Sequence, residues 1–318
     1  MEDKNRLPIT ADEAREKLRK YQEETGKSQN DIAKEMGYNN ATALSRFRAG
    51  TYDAEHEVIK KVVQFFKITE KRRAAPKKPT YKATSTSLRV ASLIELCHTR
   101  GELGVAYGDP GVGKTEAVRQ YAKENKDAIV ITISPTNATI TGVNELIAEA
   151  LGIKEKVSRR ITAAISQKLK GTKRVIVIDE AQHLKAKVVN HLRSIVDATE
   201  DEETGERIGM ALIGNDEIFI ELKIKQAVAY SQVADRITYW EHLIAKEAKK
   251  EDINLIFTDA NLAEDALNLL YEIGTGISVR KAVQVFTNTI SLFNIQDYSE
   301  MKLGQLATIA KEMKLKMA

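Results

Sequence analysis

From Leu88 to about residue 213, short runs of apolar residues alternate with longer stretches in which apolar residues recur every three or four positions. Four of the runs are rich in β-branched residues and are predicted strands: Leu103–Tyr107, Ala128–Ile133, Val175–Ile178 and Met210–Ile213. Continuous apolar strands separated by helices are typical of a parallel sheet that is buried on both faces. The pattern predicts an α/β domain with a parallel sheet flanked by helices.

The pattern changes on either side of this domain. Residues 1–68 are predicted to form an all-α domain of short helices, and residues 69–87 combine Pro, Ser, Thr and Lys without apolar periodicity, as linkers do. The α/β core is assigned to residues 88–240. From about Glu241 onward only helical spacing is present, so residues 241–318 are predicted to form an all-α C-terminal domain.

Composition places the chain among soluble globular proteins, since 42% of its 318 residues are apolar and 30% are charged. No apolar run approaches the roughly 18 residues that a membrane span needs, and the first ten residues lack the apolar segment of a secretory signal. Cys97 is the only cysteine, which excludes an intrachain disulfide and argues against a zinc site. These features predict a cytoplasmic protein.

A glycine-rich loop follows the first predicted strand. It matches the P-loop pattern G-x-x-x-x-G-K-[ST] in full, with Gly108, Asp109, Pro110, Gly111, Val112, Gly113, Lys114 and Thr115. Glycines let successive backbone N–H groups face phosphate oxygens, and the helix that begins near Glu116 adds its positive N-terminus. Lys114 is expected to neutralise the β- and γ-phosphates, and the Thr115 hydroxyl to bind Mg²⁺. The predicted ligands are ATP and Mg²⁺.

Two further strands end in side chains that suit ATP hydrolysis. The run Val175–Ile178 leads directly into Asp179 and Glu180. Asp179 is expected to hold Mg²⁺, and Glu180 to accept a proton from the attacking water. Asn215 follows the strand that ends at Ile213, where its amide would orient that water. The carboxyl ends of parallel strands share one edge, so these residues are predicted to form one site.

In this order and spacing, GDPGVGKT, VIVIDEAQHL and ALIGN resemble the AAA+ ATPases. Within that class the chain is similar to the ATP-dependent, target-DNA-binding regulators of transposition, over most of residues 88–290. The resemblance implies a helical lid after the core and a subunit that shares its nucleotide with a neighbour. It also implies an oligomer that assembles on double-stranded DNA and recruits a transposase.

Three arginines are candidates for contact with the nucleotide. The resemblance places an arginine finger, which acts on ATP held by the neighbouring subunit, at Arg236, and a lid arginine at Arg280. Arg207 is a rival for the finger, because it lies in the polar loop Thr199–Arg207. For Arg236 and Arg280, an ordinary surface or salt-bridged arginine is the alternative interpretation.

The N-terminal 80 residues carry 18 basic and 13 acidic side chains, against a net charge of +4 for the whole chain. Residues 28–37 have the form of the first helix and turn of a helix-turn-helix, in which Gly37 permits the turn. The next helix, about Asn40–Ala49, is expected to present to DNA the side chains of Thr42, Ser45, Arg46 and Arg48. A helical adaptor that binds protein is the alternative.

A second basic surface is predicted inside the core. Residues 151–174 hold eight basic side chains against one acid, and Ile161, Ile165 and Leu169 form an apolar stripe that leaves the charge outside. Such a surface, repeated along an oligomer, would follow the DNA backbone with little sequence preference. The candidate DNA contacts here are Lys154, Lys156, Arg159 and Arg160. A solvated helix face is the alternative.

The leading prediction is an ATP-dependent DNA-binding ATPase that assembles as a helical filament on target DNA and recruits and stimulates a transposase. A helicase- or clamp-loader-type replication protein is one alternative, and it would form a defined small ring. A nucleotide-switched helix-turn-helix transcription regulator is the other, and it would recognise a particular sequence as a dimer.

Overall fold

The computed structural model describes residues 8–74, 79–155, 157–224 and 235–315. Contacts within the chain divide it into two compact units, Met1–Pro76 and Lys77–Ala318. Each unit buries its own apolar cluster. No helix in the described ranges has the length and apolar character needed to cross a membrane.

The first unit is helical, as predicted. Its helices are α1 (Ala11–Thr25), α2 (Gln29–Glu35), α3 (Thr42–Arg48) and α4 (Glu55–Ala74). A reciprocal capping box between Thr10 and Glu13 starts α1. The side chains that close the core come from all four helices: Leu18, Ile32, Leu44, Phe47 and Val62.

Helix α4 continues through Ala74, so the first residues of the predicted linker are helical. The basic run Lys71, Arg72 and Arg73 occupies its last turn, where positive charge is favoured by the helix dipole. Residues 69–74, which are basic and poor in apolar side chains, therefore form the exposed end of α4 rather than the start of a linker.

The second unit contains a parallel sheet made of β1 (Leu103–Gly108), β2 (Ala128–Thr132), β3 (Val175–Asp179), β4 (Gly209–Ile213) and β5 (Ile237–Leu243). The strand order is β2-β3-β4-β1-β5, and every pairing is parallel. The predicted parallel sheet is confirmed, with strand ends within one residue of those expected. Strand β5 was missed, because an edge strand with polar Thr238, Glu241 and His242 lacks the apolar continuity of the others.

Helices cover both faces of the sheet: α5 (Ser85–Arg100), α6 (Lys114–Glu124), α7 (Ile140–Ala150), α8 (Ser158–Leu169), α9 (Ala186–Asp197) and the short α10 (Asp216–Phe219). Alternate residues of one strand enter different cores. In β3, Ile176 and Ile178 pack into the cluster that includes α7, α8 and α9 residues, whereas Val175 and Val177 pack with α5 and α6 residues. Burial on both faces explains why the inner strands are continuously apolar.

The C-terminal part of the second unit is all-α, as predicted. It consists of α11 (Lys250–Ile256), α12 (Glu264–Gly276), α13 (Val279–Phe293) and α14 (Leu303–Glu312). Phe257, Leu270, Ile273, Phe286 and Leu306 belong to its separate core. A distinct core is consistent with a lid that packs as a body of its own.

Helix α5 lies so close to the sheet that two glycines are required beneath it. A Cβ atom on Gly209 would lie 2.0 Å from the carbonyl oxygen of Cys97, and one on Gly104 would lie 2.7 Å from the Cys97 Sγ. Cys97 is fully buried, and this burial raises the pKa of its thiol to about 12, so the thiol is unreactive at neutral pH.

We expect Gly209→Ala to lower the free energy of unfolding by about 3 kcal/mol or more, because backbone cannot move aside as a side chain can. Gly304→Ala is the matched control. No atom lies within 4 Å of a Cβ at this exposed position in α14, so this change should be neutral or stabilising by up to about 1 kcal/mol. Urea unfolding monitored by circular dichroism would measure both, and equal midpoints would contradict the packing argument.

Candidate nucleotide-binding and hydrolysis site

The P-loop joins the carboxyl end of β1 to the first turn of α6. Gly108 has a φ of 132°, and a Cβ atom there would lie 2.1 Å from the Leu243 carbonyl oxygen. Gly113 caps α6 with a φ of 105°. Side chains at these positions would strain or block the loop, so glycine is required for it to curl over the helix N-terminus. That N-terminus has free N–H groups and a positive dipole end, which suit phosphate.

Two hydrogen bonds of Asp109 fix the base of the loop. Its backbone N–H donates to the Leu243 carbonyl at 2.9 Å, and its carboxylate accepts from the Ala245 N–H at 2.7 Å. The side chain of this P-loop residue therefore ties the loop to the end of β5. Its contribution to nucleotide binding is to hold the loop backbone in shape.

Lys114 is folded back into the loop that it follows. Its Nζ donates to the carbonyl oxygens of Gly108 at 2.9 Å and Asp109 at 2.8 Å. Burial lowers the pKa of Lys114, and the nearby carboxylates of Asp216 and Glu180 oppose that effect. An ammonium held by neutral carbonyls is poorly compensated for its burial, so a phosphate would be a stronger partner.

Asp179 and Thr115 lie side by side at the carboxyl edge of the sheet. The Asp179 side chain interacts with the Thr115 hydroxyl and accepts a hydrogen bond from the Glu180 N–H at 3.0 Å. Asp179 is only 5% exposed, and burial raises its pKa. A carboxylate and a hydroxyl are hard oxygen ligands, and a cation between them would offset the cost of burying the charge. The chemistry of the two residues therefore fits Mg²⁺, and their binding of the ion stays a prediction.

Glu180 leaves the strand through a left-handed backbone turn, with φ 57° and ψ 36°. This conformation costs a non-glycine residue about 1–3 kcal/mol and is found at functional sites. Its carboxylate accepts a hydrogen bond from the side-chain amide of Gln182 at 2.5 Å. The Glu180 carboxylate lies near enough to Lys114 to raise the pKa of that lysine.

Asn215 lies at the N-terminus of α10. Its side-chain oxygen accepts from the Glu217 N–H at 2.9 Å, so one half of the amide caps the helix. Its backbone N–H donates to the side-chain oxygen of Gln182 at 3.3 Å. Sequence reasoning did not identify Gln182, although a polar side chain two residues after Glu180 was a usable signal.

The lid packs directly on the P-loop. The backbone N–H of Arg280, in the first turn of α13, donates to the Gly111 carbonyl at 3.0 Å. A Cβ atom on Gly111 would lie 3.0 Å from both the Arg280 Cβ and the Ser278 side chain. The backbone of Arg280 therefore lies against the P-loop, and contact of its side chain with the nucleotide stays a prediction.

Arg236 is exposed and lies in the turn that precedes β5, whereas Gln232, Val233 and Ala234 lie outside the described residues. Ile237 pairs with Leu103 at the amino end of β1, and the P-loop begins at the opposite end. A seven-residue strand spans roughly 20 Å. Arg236 and the P-loop of the same subunit thus lie at opposite edges of the sheet.

Arg207, the other candidate for the arginine finger, makes its contacts within its own subunit. Its Nε donates to the Gly101 carbonyl at 2.9 Å, and its guanidinium pairs with Asp197 at 3.1 Å and Glu200 at 3.4 Å. These contacts tie the loop before β4 to the turn before β1. They indicate a structural role for Arg207.

The predicted DNA contacts fall in two places. Thr42, Ser45 and Arg46 are exposed on α3. Arg48 differs from expectation, because it is partly buried and its guanidinium donates to the Gln22 side chain at 2.5 Å. Burial also lowers the pKa of Arg48. Arg48 therefore turns toward its own domain, which a helical projection alone did not indicate.

In the second unit, Lys154 before α8 and Arg160 in the first turn of α8 are exposed, and the predicted apolar stripe of α8 is buried. Lys156 and the side chain of Arg159 lie outside the described part of the chain.

We expect Asp179→Asn to raise the melting temperature of the nucleotide-free protein by about 2–4 °C while abolishing turnover of Mg²⁺·ATP. Since burial raises the pKa of Asp179, the ionised carboxylate costs stability at neutral pH. Below both the folded and the unfolded pKa the wild-type carboxyl is protonated and the cost disappears. The difference in melting temperature should therefore shrink as pH falls, which scanning calorimetry over a pH series would measure.

Asp127→Asn is the control for this prediction, because Asp127 is an exposed residue in the turn before β2. It should leave both melting temperature and turnover unchanged. A variant at position 179 that melts below the wild type at neutral pH would contradict the argument.

Comparison with known proteins agrees with this geometry. Residues 97–219 match a family described as the AAA domain. The chain is 31% identical over 255 residues to the ATP-dependent target DNA activator B of Escherichia phage Mu, covering 76% of each chain. It is 28% identical over 279 residues to the Mu-like prophage FluMu DNA transposition protein B of Haemophilus influenzae, covering 85% of this chain and 94% of that one.

A solved structure of the ORC2 protein of Aeropyrum pernix, in ADPNP–ADP complexes, is similar with a TM-score of 0.53. It shares 16% identity, over 76% of this chain and 71% of that chain, and at this identity the likeness shows the fold alone. Fold, site geometry and sequence similarity agree: the chain is an AAA+ ATPase that belongs to the family of the ATP-dependent target DNA activator B proteins.

Proposed function

We propose that this ATPase assembles, with ATP bound, as a helical filament on double-stranded DNA and there recruits and stimulates a transposase. The observation that carries the proposal is the placement of Arg236. It is exposed at the sheet edge opposite its own P-loop, so it serves a nucleotide only across a subunit boundary. The relatives' names, which describe a target DNA activator and a transposition protein, support the role in transposition.

Hydrolysis uses the residues gathered at the carboxyl edge of the sheet. Lys114 neutralises the β- and γ-phosphates. Thr115 and Asp179 would hold Mg²⁺, which would supply further positive charge to the phosphates when bound. Glu180 accepts a proton as the water oxygen bonds to the γ-phosphorus. The bond from that phosphorus to the bridging oxygen breaks, and ADP and phosphate leave. Asn215 orients the water with the half of its amide that does not cap α10.

Assembly and hydrolysis are linked through the γ-phosphate. ATP at the boundary is bound by the P-loop and Arg280 of one subunit and by Arg236 of the next. A contact made only in the assembled state stabilises that state by mass action. When the γ-phosphate is released, the contact is lost and the filament loosens. The rate of ATP hydrolysis therefore determines how long the protein stays on DNA.

DNA contact is assigned to exposed basic and polar side chains on both units. Lys154 before α8 and Arg160 in its first turn would repeat along a filament and follow the phosphate backbone. Such contacts give strong salt dependence and little sequence preference. On the first unit, α2 and α3 form the candidate helix-turn-helix, with Thr42, Ser45 and Arg46 exposed. In this proposal the protein acts in the cytoplasm of a bacterial cell.

Electron microscopy of the protein with random-sequence duplex DNA tests the proposal. We expect continuous filaments on DNA with ATP, and none with ADP or without nucleotide. Closed rings or isolated dimers under all three conditions would refute the filament and favour a loader or a transcription switch.

A double variant separates DNA binding from ATP binding in the same experiment. Lys154→Ala with Arg160→Ala should abolish filaments on DNA at physiological salt, since each lost phosphate contact weakens binding and lowers the salt slope by about 1. Its ATPase activity without DNA should stay at the wild-type level.

The role of Arg236 across the subunit boundary is tested by mixing two inactive variants. We expect Arg236→Ala to lower ATP turnover about 100-fold or more. Its melting temperature should not change, because the side chain is exposed. Glu180→Gln should be inactive, because the variant lacks the carboxylate that accepts a proton from the attacking water. An equimolar mixture should regain activity, because an intact Arg236 then meets an intact Glu180 at some boundaries.

Two variants that stay inactive when mixed, with assembly shown by light scattering, would place the finger elsewhere. Arg207→Ala is the comparison. It should lower the melting temperature, because it breaks the contacts with Gly101 and Asp197.

A further inference from the structure

Gln182 connects two residues of the hydrolysis site that come from different strands. It lies in the single 3₁₀ turn Ala181–His183 that follows β3. Its Nε2 donates to the Glu180 carboxylate at 2.5 Å, and its Oε1 accepts from the Asn215 backbone N–H at 3.3 Å. One side-chain amide therefore spans the gap between the ends of β3 and β4.

The amide has only one orientation that satisfies both contacts. An ionised carboxylate only accepts hydrogen bonds and a backbone N–H only donates, so the amide nitrogen must face Glu180 and its oxygen must face Asn215. The opposite orientation would place two acceptors together on one side and two donors on the other.

The surrounding backbone keeps Gln182 in this place. A Cβ atom on Gly214 would lie 3.0 Å from the Gln182 Oε1 and 3.1 Å from its backbone nitrogen, so the glutamine packs on the bare backbone beside Asn215. Glu180 itself is in the left-handed region, which turns its carboxylate toward this amide. The carboxylate that takes the proton and the loop that carries Asn215 are thus held at a fixed separation.

We propose that Gln182 is a positioning residue for ATP hydrolysis, which aims the Glu180 carboxylate at the attacking water and keeps it in register with Asn215. The proposal rests on the ATPase activity of the Lys114–Glu180 site. A carboxylate free to rotate would spend less time within hydrogen-bond reach of the water, and a misplacement of 1 Å costs on the order of 100-fold in rate.

Two substitutions of Gln182 test its hydrogen bonds to Glu180 and Asn215. Gln182→Leu removes both hydrogen bonds at similar volume. Gln182→Glu keeps an oxygen for the Asn215 N–H, but it replaces the donation to Glu180 with repulsion between two carboxylates. We expect both to lower kcat for ATP by about 10- to 100-fold, with the KM and the Kd for ATP within about 3-fold of wild type. Steady-state turnover of the full chain and binding of a fluorescent ATP analogue would measure these quantities.

Gln120→Leu is the matched control. Gln120 also donates its side-chain amide to a glutamate, Glu124, but on the outer part of α6 away from the P-loop. This variant should turn over ATP as the wild type does. No turnover in the wild type and the control would refute the ATPase activity itself, which is a different result from failure of the Gln182 proposal.

The proposal would be overturned by unchanged kcat in Gln182→Leu, or by a raised kcat, which would make Gln182 a restraint on Glu180. A rise in the Kd for ATP large enough to account for the lost turnover would overturn it as well, because the residue would then serve binding. A general loss of structure is separated from these outcomes by the melting temperature, which the positioning role leaves within a few degrees of wild type.

Discussion

The hydrogen bonds that hold β1 between β4 and β5 determine where the chemistry takes place, because the P-loop begins where β1 ends. Gly104 in β1 pairs with Ala211 on one side and Tyr239 on the other. The ladder to β5 continues past the strand, since the Asp109 N–H still bonds to Leu243. The base of the phosphate-binding loop is therefore an extension of the sheet, and it has the rigidity of the sheet.

Several groups at the carboxyl edge are held in states that a stability-optimised protein would avoid. Burial raises the pKa of Asp179 and lowers that of Lys114, and Glu180 has a left-handed backbone. The two buried charges favour ligands, because a cation would compensate Asp179 and a phosphate would compensate Lys114. Strain and buried charge at this edge are consistent with a site whose bound state is the more favourable one.

The two edges of the sheet have different duties in the proposed assembly. The carboxyl edge binds the nucleotide, and the lid adds Arg280 through its bond to Gly111. The amino edge carries Arg236, exposed, and Arg207, which is committed to Asp197 and Glu200. A subunit with its nucleotide pocket on one edge and an exposed arginine on the other suits a head-to-tail array, in which each boundary completes one site.

The sequence by itself determined the P-loop, the Asp179–Glu180 pair and the inner strands, because each is a local pattern of residue type and spacing. The edge strand β5, the inward turn of Arg48, the pairing of Arg207 and the bridge made by Gln182 were decided by tertiary structure. Gln182 and Asn215 are 33 positions apart, and Arg48 and Gln22 are 26 apart. Contacts of this kind depend on which elements pack together, and no local pattern records that.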